Sequence, residues 1–248
     1  MKVTFLASAC AGLLFAGTAT AGHHGAHWGY TGSVSPEHWG DLSTEYSICK
    51  DGRNQSPVNI EKTIEASLPP LVVQYEKTSL GMVNNGHTVQ INYDAGSTLT
   101  VSGHTFNLVQ FHFHTPSENA VDGQLFPMEA HLVHADKDGN LAVVGVLFEE
   151  GTSNPLLDKL WPSMPTKAGE DVNNSDMTFS VEEMLPTDRS YYHFNGSLTT
   201  PPCTEGVSWY VLKTPATVSR AQFTMFNTVI GSDNNRPLQP RNARPVLR

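Results

Sequence analysis

The chain has 248 residues, 39% of them hydrophobic and 16% charged, and a formal net charge of −9. That length supports one large domain with a substantial core, and an acidic balance without any basic run argues against nucleic acid as a partner. The charge speaks for solubility and carries little about substrate.

Taken in chain order, targeting comes first. Lys2 gives a short positive start, Val3 to Ala16 form an apolar stretch, and Ala19-Thr20-Ala21 is a small-x-small cleavage signal. Residues 1–21 are expected to be a signal peptide, with residues 22–248 as a single domain. The stretch is too short, and too rich in Ala and Gly near its end, for a membrane span. A lipid anchor at Cys10 would need a longer apolar run before it. The protein is therefore expected to be exported, to the periplasm in the first instance. The signal does not separate that compartment from the medium, and nothing holds the cleaved chain to a membrane. Cleavage removes Cys10 and leaves Cys49 and Cys203. An even count in an exported protein favours one disulfide over two buried thiols.

Strands dominate the remainder of the chain. Thr88 to Tyr93 alternates, Thr98 to Val101 is a short β-rich piece, and Thr105 to His114, Ala130 to Ala135, Leu141 to Phe148 and Val207 to Thr214 continue the pattern. Asp136 to Asn140 is a turn signal that joins antiparallel neighbours. Helices are few: Leu156 to Trp161 behind an Asn154-Pro155 start, and Ser219 to Val229 with Ser219 as its cap. There is no repeat, linker or low-complexity tract. The expected class is mainly β with a few short helices and long irregular ends.

The chemistry concentrates in Gln110-Phe111-His112-Phe113-His114 and Glu129-Ala130-His131. Histidines two apart on a strand share a face, and a third from a neighbouring strand completes a three-nitrogen cage. Three imidazoles leave the fourth tetrahedral position of Zn²⁺ open, as in a catalytic site. On the second strand His131 and Val133 share a face while His134 points the other way, so His134 reads as a packed or hydrogen-bonded side chain. Phe111 and Phe113 should enter the core. Gln110 and Glu129 lie on the ligand face and could orient His112 and His131 by accepting from their second nitrogens.

Together with Trp28-Gly29-Tyr30, Gln55 to Ile60, Asn84-Asn85-Gly86-His87, Glu129 to His134 and Gly196-Ser197-Leu198-Thr199-Thr200-Pro201-Pro202, these motifs resemble the α-class carbonic anhydrases of the bacterial, exported kind. The resemblance runs over nearly the whole expected mature chain. It implies a ten-stranded, mostly antiparallel twisted sheet with a conical cleft. It also implies one Zn²⁺ per chain on His112, His114 and His131, and hydration of CO₂ to bicarbonate by attack of zinc-bound hydroxide. It further implies that Thr199 donates to Glu118 and orients the hydroxide, and that His87 exports the proton. Tyr30, Asn85, Gln90 and Gln110 would line the polar side of the cleft. Val133, Val143, Leu198, Thr200, Val207 and Trp209 would form the substrate pocket. Cis bonds at Ser56–Pro57 and Pro201–Pro202 belong to the same expectation, as does weak ester hydrolysis. A dimer is common among bacterial relatives, and the sequence leaves assembly open. His23, His24 and His27 would lie in a mobile N-terminal segment, and His104 and His193 have no partner motif. A non-catalytic relative and a zinc hydrolase are the rival readings. The complete ligand set speaks against the first, and the absence of a His-Glu-x-x-His helix against a peptidase of that type.

Overall fold

Period-two alternation places the residues of this chain more firmly than any local propensity does. The computed structural model describes residues 26–248, and the expected signal peptide, its cleavage site, Cys10, His23 and His24 lie outside the described residues. The strands are β1 (Asn59–Ile60), β2 (Val72–Gln74), β3 (Thr78–Asn84), β4 (Val89–Asn92), β5 (Thr98–Val101), β6 (His104–His114) and β7 (Ala120–Val121). They continue with β8 (Met128–Ala135), β9 (Leu141–Glu150), β10 (Asp171–Phe179), β11 (Tyr191–Ser197), β12 (Glu205–Leu212) and β13 (Ala216–Val218). The α-helices are α1 (Trp39–Leu42), α2 (Ile48–Asp51), α3 (Pro155–Leu160) and α4 (Arg220–Ile230).

Eleven strands form one sheet with the central order β10-β3-β4-β6-β8-β9-β12-β11, while β1 and β7 pair separately. The count exceeds the ten expected. Most pairings are antiparallel, but β9 runs parallel to both β12 and β13, so the sheet is mixed.

The two faces of the sheet carry different work. Phe111 and Phe113 of β6, Ala130 and Leu132 of β8, and Ala142, Val144, Val146 and Phe148 of β9 enter the larger core, all with 2% exposure or less. The intervening residues turn to the opposite face: His112 and His114, then Glu129, His131 and Val133, then Val143 and Leu147. His134 falls on the main-core side, as expected. Its Nε2 lies 2.9 Å from the Tyr75 hydroxyl and its Nδ1 3.3 Å from the Ala142 carbonyl.

The helix starts follow their caps. The Asn154 side chain accepts from Leu156 N and Leu157 N with Pro155 in the first turn, and Ser219 and Gln222 form a reciprocal capping box on α4. Strands β3 and β10 escape a sequence reading for physical reasons. Gly81 interrupts the first, and the second is an edge strand of mostly exposed polar residues. The N-terminal part of the described residues is not irregular. Short helical turns, α1 and α2 fold over Trp39, which is fully buried and packs edge-on against Trp28 and Tyr30. Cys49 and Cys203 are joined by a disulfide across 154 residues. The Ser56–Pro57, Thr115–Pro116 and Pro201–Pro202 bonds are cis.

Candidate active site

Strand register brings the three histidines together. Antiparallel pairing of β6 with β8 sets His112 opposite His131 and His114 opposite Glu129, and β4 places Gln90 beside His112. Nitrogen atoms from His112, His114 and His131 lie within 4.8 Å of one another.

Each ring is held from behind. His112 Nδ1 is 2.8 Å from Gln110 Oε1, and His114 Nδ1 is 2.7 Å from the Asn234 carbonyl. An acceptor at Nδ1 puts the proton there, so Nε2 of both rings is a bare lone pair. That of His114 is buried and has no hydrogen-bond partner. His131 Nε2 sits 3.1 Å from Glu129 Oε1, within reach of the carboxylate but off the line of a hydrogen bond. Burial is the main cause that lowers the basicity of all three imidazoles, well below the usual range for His112 and His131. His114 adds to the effect on the other two. All three are neutral at pH 7, the state a metal requires.

Two buried carboxylates complete the base of the site. Glu129 accepts from Glu118 N and Asn119 N at Oε2 and from Asn119 Nδ2 at Oε1, each at 2.8 Å. Gly145 on β9 leaves room for it, since a Cβ there would stand 3.0 Å from Glu129 Oε1. Glu118 accepts the Arg236 N–H at Oε1, 2.8 Å away. Burial pushes its carboxyl up to about 8, against the lowering pull of that N–H and of the nearby Thr199 hydroxyl. Thr199 is close but not hydrogen-bonded to it, and Glu118 Oε2 has no partner.

A cleft of about 130 Å³ opens over His112 and His114. Trp28, Tyr30, Asn85 and His87 stand along it with Gln90, Gln110 and Thr200. His87 stacks face to face on Trp28, with ring centroids 3.7 Å apart. Burial, aided by nearby His27, lowers its pKa. Asn85 is committed to the turn, its Oδ1 accepting from His87 N and Thr88 N, and Gln90 donates to Asn92. Beside His131, whose ring lies 4.8 Å from that of Trp209, an apolar cluster gathers Val143, Val207 and Trp209 with the partly buried Val133 and Leu198. A larger groove, about 540 Å³, runs past Pro69, Arg189 and Lys213 and shares no residue with this cleft.

The model of the eukaryotic-type carbonic anhydrase family matches residues 34–248. The chain belongs to this family. A carbonic anhydrase of Neisseria gonorrhoeae is 52% identical over 239 residues, which is 95% of this chain and 94% of that protein. One from Pectobacterium atrosepticum is 46% identical over 89% of this chain and 90% of its own length. The α-carbonic anhydrase from Thermovibrio ammonificans, solved with the inhibitor sulfanilamide, superposes with a TM-score of 0.88. It shares 50% identity, over 90% of this chain and 100% of that one. By family, then, this is an enzyme, a carbonic anhydrase.

Within the carbonic anhydrase fold, sequence reasoning missed Asn119, Asn234 and Arg236, which hold the carboxylates and His114. They lie in segments without periodicity. Only the polar residues at 234–236 hint at them. His104 and His193 do have partners: His104 Nε2 lies 2.9 Å from Asp136 Oδ2, and His193 Nδ1 3.0 Å from the Trp209 carbonyl.

Proposed function

We propose that this carbonic anhydrase interconverts CO₂ and bicarbonate with one Zn²⁺ held by His112, His114 and His131. The observation that carries it is the convergence of three neutral imidazoles around a buried, unpartnered His114 Nε2. That donor set suits zinc and leaves a coordination position open. Zinc bound there would supply a nucleophile near neutral pH by acidifying water, to the pKa of about 7 known for carbonic anhydrases as a class.

The chain's own residues divide the remaining tasks. Gln110 and the Asn234 carbonyl fix the tautomers of His112 and His114, and Glu129 faces His131. Glu118 has one oxygen committed to Arg236 N and the other free. With Glu118 ionised, a hydrogen bond donated by the Thr199 hydroxyl to that free oxygen would leave the threonine oxygen as an acceptor, so that it orients a reacting group able to donate. CO₂ has no net dipole, and the wall of Val133, Val143, Leu198, Val207 and Trp209 beside His131 suits it, with Thr200 at the edge. His87, at the cleft's edge, moves the proton outward; its pKa, lowered by burial, favours release to buffer. Tyr30 remains a neutral hydroxyl, because burial and the proximity of Glu118 raise its pKa.

The disulfide supports export to an oxidising compartment, the periplasm on this reading, after removal of residues 1–21. Among the described residues no helix is long and apolar enough to cross a membrane. Slow hydrolysis of activated esters should accompany the main reaction. The test is stopped-flow CO₂ hydration with zinc measured on the same sample. Fast turnover with about one zinc per chain, abolished by chelation and restored by zinc, is expected. Full zinc occupancy without hydration would overturn the proposal.

A further inference from the structure

Asn234 spends every polar atom on two segments, residues 113–115 at the end of β6 and the turn that carries His87. Its carbonyl accepts from His114 Nδ1, and its N–H donates to the Thr115 carbonyl. The side chain adds three bonds: Oδ1 accepts from Thr115 N at 2.8 Å, and Nδ2 donates to the carbonyls of Phe113 and His87, each at 3.0 Å. An asparagine amide has two N–H donors, so Nδ2 is saturated. The residue is fully buried.

Within the turn that carries His87, the side chains of Asn84 and Asn85 cap backbone N–H groups, and Asn84 also bonds Pro165, Gly169 and Glu170. Asn84 Oδ1 takes Gly86 N, Asn85 Oδ1 takes His87 N and Thr88 N, and Gly86 has the φ of +87° that suits a glycine. Thr88 Oγ1 ties the far end of the turn to the Phe113 carbonyl at 2.7 Å. The carbonyl of His87 itself is held from Asn234, a residue 147 positions away in the chain.

We propose that the Asn234 side chain is a positioning residue for proton exit, setting the placement of His87 relative to the strand that carries His112 and His114. The proposal rests on the reading of His87 as proton carrier and of the three histidines as metal ligands. The residue's two roles separate by chemistry. The main-chain carbonyl serves His114 whatever the side chain, whereas the amide serves the turn. Removing the amide leaves the Thr88 tie and the ligand acceptor in place and releases the end of the turn that bears His87.

The experiment compares Asn234→Ala, His87→Ala and the double variant, each loaded with zinc. Zinc content, CO₂ turnover in dilute and concentrated imidazole buffer, and kcat/KM for CO₂ are measured for each. Asn234→Ala should keep about one zinc per chain while turnover in dilute buffer falls roughly five- to tenfold, less than the ~10²–10⁴ that a positioned acid–base group can contribute. Concentrated imidazole should restore most of that loss, and kcat/KM should change far less. In the His87→Ala background, Asn234→Ala should add nothing to the dilute-buffer defect, since coupled residues are not additive. A loss independent of buffer, or one that adds in full to that of His87→Ala, overturns the proposal. If His87→Ala alone has no buffer-dependent defect, the proton-carrier reading fails and this proposal fails with it. Should Asn234→Ala not hold zinc, Asn234→Asp keeps the volume and the acceptor for Thr115 N and turns an oxygen toward the two carbonyls. The same buffer-dependent loss is expected of it. If neither variant holds zinc, the side chain serves folding and the proposal is wrong.

Discussion

Replacing His134 by glutamine should make the metal-free protein markedly less sensitive to acid. His134 is fully buried on the back of the strand that carries His131. With Nδ1 facing the Ala142 carbonyl, the ring proton belongs on Nδ1 and Nε2 accepts from the Tyr75 hydroxyl. Burial brings its pKa from 6.5 down to about 4, partly offset by the carbonyls of Ala142 and Leu132. The unfolded chain regains the ordinary value. Between the two values the unfolded state binds a proton that the folded state refuses, so this contribution is complete above about pH 6.5 and is lost as pH falls toward 4. A difference of about 2.5 pKa units at ~1.36 kcal/mol each makes the loss about 3 kcal/mol. Glutamine keeps an acceptor for Tyr75 and a donor for Ala142 without titrating. Urea denaturation at pH 7 and pH 4, with chelator present, should show the unsubstituted protein losing about 3 kcal/mol more than His134→Gln. His112, His114 and His131 titrate in both proteins and cancel. Equal losses in the two, within ~0.5 kcal/mol, would refute the reasoning.

Other outcomes are open to direct test. His131→Ala should lose bound zinc and nearly all CO₂ hydration; zinc analysis finding full occupancy with full turnover would remove the ligand assignment. A Cys49→Ser/Cys203→Ser double variant opens a loop of 154 residues and should lose about 5 kcal/mol by loop-closure entropy, read from denaturation midpoints. An unchanged midpoint would show that the bridge constrains little in the unfolded chain. Phe113→Ala empties a fully buried site between Trp161 and Phe226 and should cost about 3–5 kcal/mol in the same assay. A loss under ~1 kcal/mol would mean that the core there collapses to fill the space.

The parts of the site that could be read from sequence are those governed by alternation. His112 and His114 share a face because a strand repeats every two residues, and the same rule sends Phe111 and Phe113 into the core and turns His134 away from His131. Cap chemistry likewise marks the starts of α3 and α4. The parallel pairing of β9 with β12 and β13 has no local signature, because it depends on where distant strands return to the sheet. Arg236 and Asn234 escape for the same reason. Arg236 donates to Gln55, Ser56 and Cys49 and its N–H to Glu118, contacts set by the path of the chain and by no repeating pattern.

That path fixes an order of assembly. Asn234 and Arg236 come after every other part of the site in the chain, yet they supply the acceptor behind His114 and the donor to Glu118. A ribosome making this protein releases His114 and Glu118 more than a hundred residues before the groups that hold them exist. The base of the site, His114 and Glu118 with their partners, can therefore take its final form only on a nearly finished chain.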